Sequence, residues 1–210
     1  SADASAVYEM ALGHSIAVVA SNKIAASDAM PRYLGLKELA LEHGVEFRFE
    51  TNVGAGLPLI DTIQNQMQSG DKIHKIEAVL SGTLNYVFSN FNASTTFSSV
   101  IAKARKAGLT EPDPRTDLSG VDVKRKILIL AREAGNTLEI DDVQASGFLS
   151  DEMMEGSIDE FMAALPSIEE DMQGRRADAE KEGGRLKYVA TWDESRKGAK
   201  AQTGLQIVGP

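Results

Sequence analysis

Ile16-Ala17-Val18-Val19-Ala20-Ser21-Asn22-Lys23 is the stretch on which the fold turns. Its first five residues form an apolar run of the kind buried in a parallel strand. Ser21-Asn22-Lys23 follow at the carboxyl end, where open α/β sheets place their ligands. Upstream, Ala6, Val7, Met10 and Ala11 make an apolar stripe at helical spacing, with Gly13 as the stop. Downstream, Tyr33 to His43 reads as a helix through Leu34, Leu36, Leu39, Ala40 and Leu41, ended by Gly44. Val45 to Glu50 alternates apolar and polar residues, as a strand does. The order helix, strand, helix, strand reads as the last third of a βαβ unit, so the class is α/β.

Beyond this unit, Pro58 suits the first turn of a helix running to Gln68, with Gly70 as terminator. Ile73 to Ser81 is strand-like, and Gly82-Thr83 opens a helix through Phe91. Phe97 to Ala107 is a further helix, with Ser98 as N-cap and Gly108 as stop. Pro112 and Pro114 fix two backbone angles, so Thr110 to Arg115 is a stiff loop. Val121 to Ala134 is a strong helix ended by Gly135. Ser157 to Glu160 and Ser167 to Glu170 both fit the capping-box pattern, which places two helices broken at Pro166. Leu186 to Trp192 and Ala201 to Val208 read as strands, and Gly209-Pro210 adds no finishing element.

The 210 residues include 22 Lys+Arg, 31 Asp+Glu and no cysteine. A length of this order buries a core without staples. Without cysteine there is no disulfide scaffold, iron–sulfur cluster or thiol nucleophile, which fits a cytoplasmic setting. A net charge of −9 disfavours nucleic acid and anionic membranes as partners. The longest apolar runs are five residues, against about 20 for a membrane span. Ser1-Ala2-Asp3 has neither an initiator Met nor a basic stretch before an apolar run. The expectation is therefore no signal peptide, and an excised or processed chain.

Two stretches carry chemistry. In Asn52-Val53-Gly54-Ala55-Gly56-Leu57-Pro58, a third glycine of a dinucleotide loop would fall at Leu59, so that pattern fails. A plain tight turn remains. So does a cation site in which the carbonyls of Val53, Ala55 and Leu57 join the Glu50 carboxylate, since hard oxygens suit a hard cation. Between Thr110 and Lys126, Asp122 and Lys126 are four apart on a helix and share a face. They read either as an exposed ion pair or as a lysine poised beside apolar Val121, Val123, Ile127, Leu128 and Leu130 to hand over a proton. Glu111 and Asp113, on the stiff loop, can converge on that helix. Lys23 can face a phosphate or solvent, and Ser81-Gly82-Thr83 can bind a carboxylate or simply cap a helix. His14, His43 and His74 lack metal spacing.

Together these stretches resemble the homoserine dehydrogenase family. The resemblance runs through Val18 to Lys23, Asn52 to Pro58 and Leu80-Ser81-Gly82-Thr83-Leu84. Its most specific part is Thr110-Glu111-Pro112-Asp113-Pro114-Arg115 with Asp117 to Gly120 and Asp122 to Lys126. Phe161-Met162-Ala163 and Arg185 to Val189 look more like the bifunctional aspartate kinase–homoserine dehydrogenase branch. The resemblance implies a partial Rossmann-type portion over 1–55. An α+β catalytic and dimerisation domain over 56–210 follows, with a mixed sheet covered by helices. It implies NADP- or NAD-dependent interconversion of L-homoserine and L-aspartate 4-semialdehyde, toward threonine, methionine and isoleucine, in a cytoplasmic homodimer or larger homo-oligomer. Lys126 then matches the proton donor, and Glu111 and Asp122 the substrate-binding carboxylates. Lys23 and Gly108 match cofactor contacts, and Glu50, Val53, Ala55 and Leu57 a sodium or other monovalent cation site. Leu109 stands where relatives often carry an aromatic, so a hydroxyl contact there is lost. The glycine-rich first turn of a nucleotide domain is absent from these residues, so this segment alone is expected to bind cofactor weakly and to turn over negligibly. The rival expectations are a non-catalytic dimerisation or regulatory module and another amino-acid-type NAD(P) dehydrogenase.

Overall fold

The computed structural model describes residues 2–209, with side chains from residue 4; the readings placed on Ser1 and Pro210 lie outside them. In chain order the elements are α1 (Ala2–Ala6), α2 (Tyr8–Gly13), β1 (Val18–Val19), α3 (Met30–Glu42), β2 (Phe47–Arg48), α4 (Leu59–Gln68), β3 (Lys75–Ala78) and α5 (Gly82–Asn90). They continue as α6 (Phe97–Lys106), α7 (Pro114–Leu118), α8 (Val121–Glu133), β4 (Val143–Ala145), α9 (Ile158–Ala164), α10 (Glu169–Lys181), β5 (Arg185–Asp193) and β6 (Ala201–Val208). The chain divides into two compact units. The first runs up to Ile76 and adds Lys124–Gln144 and Thr191–Ala201; the second comprises Glu77–Val123, Ala145–Ala190 and the chain from Gln202.

In the first unit β1 and β2 pair in parallel, Val18 opposite Phe47. Their core is Tyr8, Leu12, Val18, Ala20, Ala25, Leu36 and Ala40. The expected strand Ile16 to Ala20 shortens to two residues, and only Val18 and Ala20 of its alternate positions are buried. Val19 is 84% exposed, because a two-stranded sheet has only one covered face here. The helical stripe at the start is also shifted. Val7 and Met10 are exposed, whereas Tyr8 and Leu12 face the core. In α3, Tyr33, Leu36 and Ala40 are buried while Leu34 and Leu41 are exposed. Gly44 stops α3 at φ +65, as its lack of a Cβ allows.

The four-stranded sheet, in the order β3-β5-β6-β4, forms the mixed, helix-covered layer expected from sequence. The second unit is packed around five rings, Phe88, Phe91, Phe97, Phe148 and Tyr188, with successive centroids 5.3 to 6.2 Å apart. Ser157 and Glu160 form the expected reciprocal box at the start of α9. The second expected box is absent. Leu165–Ile168 is a 3-10 turn, and Ser167 donates to the Ala164 carbonyl instead. The Glu169 carboxylate leaves its own helix start and accepts from the Phe97 N–H at 2.7 Å. The cap of α6 is Thr96, not Ser98, since the Thr96 hydroxyl accepts from the Ser99 N–H.

Candidate active site

In the second unit the loop between α6 and α8 is built around one carboxylate. Asp117 Oδ2 accepts from the Glu111 N–H at 2.8 Å, and Oδ1 lies 2.9 Å from the Thr83 hydroxyl. That hydroxyl is also 2.6 Å from the Leu109 carbonyl. Having one proton, it donates to one of these acceptors at a time. Thr83 stands in the first turn of α5, behind the Ser81 cap that accepts from the Leu84 N–H. The Ser-Gly-Thr stretch is thus both a cap and the anchor of the loop.

The stiff loop expected from its prolines is in part helical. Asp113 caps α7 by accepting from the Arg115 N–H, and Pro114 supplies the first turn. The Arg115 guanidinium grips both Asp113 oxygens and donates from Nη1 to the carbonyls of Met154, Glu155 and Gly156 at 2.9–3.1 Å. Its Cζ lies over the Phe161 ring, 5.8 Å from the ring centre. Hydrogen bonding to Arg115 holds the Asp113 carboxyl below its ordinary range, so it stays ionised. Asp113, Arg115 and Asp117 are therefore consumed in holding the loop, while Glu111 is exposed at its crest. Gly108, at φ +68, has nothing within 4 Å of where a Cβ would stand, so its backbone is open to a ligand.

Gly120 sets the start of α8. At φ +71 it lies against Tyr188 of β5, whose buried hydroxyl reaches Thr203 at 3.3 Å. Burial pushes the Tyr188 phenol up, so it remains neutral. One turn into α8, Asp122 and Lys126 share a helix face and both are half-buried. After them Ile127 to Ala131 are buried on every side, each at most 3% exposed. The apolar surround expected of this helix holds, except that Val121 is 48% exposed.

In the first unit Lys23 follows β1 and is half-buried. Its loop is tied to the turn after β2 by Asn52, which is fully buried. One end of the Asn52 amide lies 2.9 Å from the Ser21 carbonyl and 3.1 Å from the Ala20 carbonyl, and since carbonyls can only accept, that end is assigned as the nitrogen. The Glu50 carboxylate accepts from the Ile60 and Asp61 N–H groups at 2.9 and 2.8 Å, capping α4. Pro58 precedes that helix and does not belong to its first turn. The turn itself is strained toward the left-handed region at Gly54, φ +78, and at Ala55, φ +51. Among the described residues no cluster of three or more His, Cys, Asp and Glu side chains could hold a metal. A site at this turn would rest on one carboxylate and on carbonyls.

Sequence reading missed the buried ionic end of α8. Arg132 donates to the carbonyls of Ala26, Asp28 and Leu138 and to Glu139. Glu133 accepts from Tyr33, Lys37 and Gln64. The signal available was two adjacent opposite charges directly after an all-apolar helical run, where solvent exposure is not expected.

The fold and this loop–helix arrangement define an α/β protein with polar groups gathered at strand ends and helix starts. The sequence profile of the homoserine dehydrogenase family matches residues 58–210, and the chain belongs to that family. It is 46% identical over 185 residues to bifunctional aspartokinase/homoserine dehydrogenase 1, chloroplastic, of Zea mays, covering 87% of this chain and 20% of that protein. To the bifunctional aspartokinase/homoserine dehydrogenase of Haemophilus influenzae it is 44% identical over 191 residues, 90% of this chain and 23% of that one. The chain thus spans about a fifth of the length of the curated relatives it matches. Among solved structures, a Candida auris protein of unknown function superposes with a TM-score of 0.93 at 30% identity, over all of this chain and 60% of that one. A homoserine dehydrogenase from Thiobacillus denitrificans superposes at 0.76 with 20% identity, over 98% of this chain and 43% of that one; this likeness shows the fold alone.

Proposed function

We propose that this chain carries the substrate-side machinery of an enzyme interconverting L-homoserine and L-aspartate 4-semialdehyde with NADP(H) or NAD(H), on the route to threonine, methionine and isoleucine. The observation that carries the reading is the juxtaposition along the chain of an anchored loop, with Glu111 exposed at its crest, and α8, with Asp122 and Lys126 one turn apart. The family match over residues 58–210 supports it, and supports the division into a nucleotide-side portion up to 55 and a catalytic and dimerisation domain from 56.

A bound nicotinamide would supply or accept the hydride. As the aldehyde is reduced, negative charge grows on its oxygen. The Lys126 ammonium stabilises that charge and delivers its proton to the oxygen; in the reverse direction the amine takes the hydroxyl proton back. Glu111 and Asp122 hold the substrate ammonium and so fix the reacting carbon. Lys23 and the open backbone at Gly108 are assigned to the cofactor side. The hard-oxygen set of Glu50 with the carbonyls of Val53, Ala55 and Leu57 suits sodium or another monovalent cation. The setting proposed is a cytoplasmic homo-oligomer. No helix among the described residues is long and apolar enough to cross a membrane.

The test is a comparison of homoserine with 4-hydroxybutanoate, which lacks the ammonium, using the full product of the open reading frame. Glu111→Gln and Asp122→Asn should each raise KM for homoserine about tenfold or more, the worth of one charged hydrogen bond. KM for the deaminated analogue should not move. Equal effects on both compounds would remove the two carboxylates from ammonium binding.

A further inference from the structure

The end of α8 carries two adjacent buried charges, Arg132 and Glu133, that the chemistry assigned above does not use. The Arg132 side chain is wholly shielded from solvent, and each of its nitrogens has an acceptor. Nε donates to the Leu138 carbonyl at 3.0 Å and Nη2 to the Glu139 carboxylate at 2.9 Å, which folds the following chain back onto the helix end. Nη1 donates to the carbonyls of Ala26 at 3.2 Å and Asp28 at 2.7 Å. The guanidinium carbon lies 5.2 Å from the centre of the Tyr33 ring.

The place of those two carbonyls is informative. Ala26 and Asp28 belong to the turn that follows Lys23. The Ser27 N–H and hydroxyl donate to the Lys23 carbonyl at 3.0 and 2.8 Å, closing that turn onto the backbone of the lysine itself. Ala25 and Ala26 are at most 1% exposed, so the turn is also packed in place. Arg132 therefore joins the helix that carries Lys126 to the turn that carries Lys23, and all of these residues lie in the first unit. Glu133 holds the helix from a second direction. It stands seven residues on from Lys126 and shares that lysine's face. It accepts from Tyr33 and Lys37 of α3 and from Gln64 of α4. Adjacent side chains leave a helix about 100° apart, so the two grips fix α8 against rotation as well as against sliding.

We infer that Arg132 is a positioning residue for the proposed reaction: its bonds to Ala26 and Asp28 set Lys126, the assigned proton donor, against the turn of Lys23, assigned to the cofactor side. The inference rests on that functional reading. Hydride and proton go to the carbon and oxygen of one carbonyl group, so their donors must keep a fixed relation. A displacement of about 1 Å, caused far from the chemistry, can cost about a hundredfold in rate. Lysine cannot stand in for arginine here, because an ammonium is a point donor and does not span acceptors that a planar fork meets on several sides.

The experiment is a double-mutant cycle on the full product of the open reading frame, with kcat for homoserine oxidation expressed per folded molecule by circular dichroism. Arg132→Lys should lower kcat about ten- to hundredfold while KM for homoserine moves less than about threefold. A purely structural role would leave kcat per folded molecule in place. Added to Lys126→Ala, the same substitution should cost less than about twofold more, because its effect passes through Lys126. A near-natural kcat for Arg132→Lys beside a crippled Lys126→Ala would overturn this inference alone, and so would an equal loss in both backgrounds. A near-natural kcat for Lys126→Ala would overturn the functional reading, and the inference with it. Should Arg132→Lys fail to fold, Glu139→Gln, at a half-exposed position, decides the matter. A loss in kcat of about threefold, absent in the Lys126→Ala background, is then expected, and no loss would overturn the inference.

Discussion

Gly120 shows how one residue fixes the geometry of the proposed site. A Cβ there would lie 2.1 Å from the Tyr188 hydroxyl and 2.7 Å from its Cζ, at a φ of +71 that side chains avoid. Gly120→Ala is therefore expected to destabilise the chain by about 2–4 kcal/mol in a denaturant titration. Adding Tyr188→Phe should recover only part of the loss, because the ring carbon remains in the way. An unchanged midpoint for Gly120→Ala would show that α8 does not depend on this contact. Gly120 was legible in sequence as part of a motif, but its reason was not. Tyr188 is distant in sequence and meets it only through the sheet. The same holds for Asp117, whose two oxygens serve Thr83 and Glu111. Spacing marked it as one acid among several, and only the fold shows that it organises the loop. Leu109 is instructive in reverse. Its carbonyl meets the Thr83 hydroxyl, so the loop is held through backbone there, and its side chain stays exposed.

At the scale of elements, the helices were the most legible, because their stops are glycines at positive φ and their apolar spacing is local. Gly44, Gly70, Gly108 and Gly135 all end helices as read. The caps were less legible. Thr96 and Ser98 are both good cap residues, and only the hydrogen bond to Ser99 decides between them. The Ser167 box failed because Ser167 lies in the 3-10 turn after Pro166 and gives its hydroxyl to the Ala164 carbonyl. The contact between α2 and α3 has a pH consequence. Hydrogen bonds from Arg32 hold the carboxyls of Glu9 and Asp28 below their ordinary values of 4.5 and 3.8. The stabilisation this gives is complete above those values and is lost as pH falls through the lowered values of the folded state. Circular dichroism during acid titration should therefore show Arg32→Gln unfolding at a higher pH than the natural chain, and a denaturant titration should show the variant less stable near neutrality, where the bridge contributes in full. Identical acid midpoints would mean that the bridge contributes nothing. Both carboxylates are partly exposed, so the displacement should be modest.

For the whole molecule, the class α/β was legible from one apolar run and its alternation with helices. The division into units was not, because both units gather segments far apart in the chain, and sequence proximity is a poor guide to that. The family is carried by the stretch from Thr110 to Lys126, where loop chemistry and helix chemistry coincide. A property of the chain as a whole follows from its sequence. It has no G-x-G-x-x-G turn to cradle a pyrophosphate. Fluorescence titration of the 210 residues with NADPH should show no saturation in the micromolar range, and micromolar binding would contradict the assignment of Lys23 and Gly108 as accessory contacts.

The most direct test of the proposed chemistry is the steady-state kinetics of Lys126→Ala in the full product of the open reading frame, assayed for homoserine oxidation. A proton-transfer group acts mainly in the transition state, so kcat should fall by about two to four orders of magnitude while KM moves only a few-fold. A kcat close to that of the natural protein would contradict the account, whatever happened to KM.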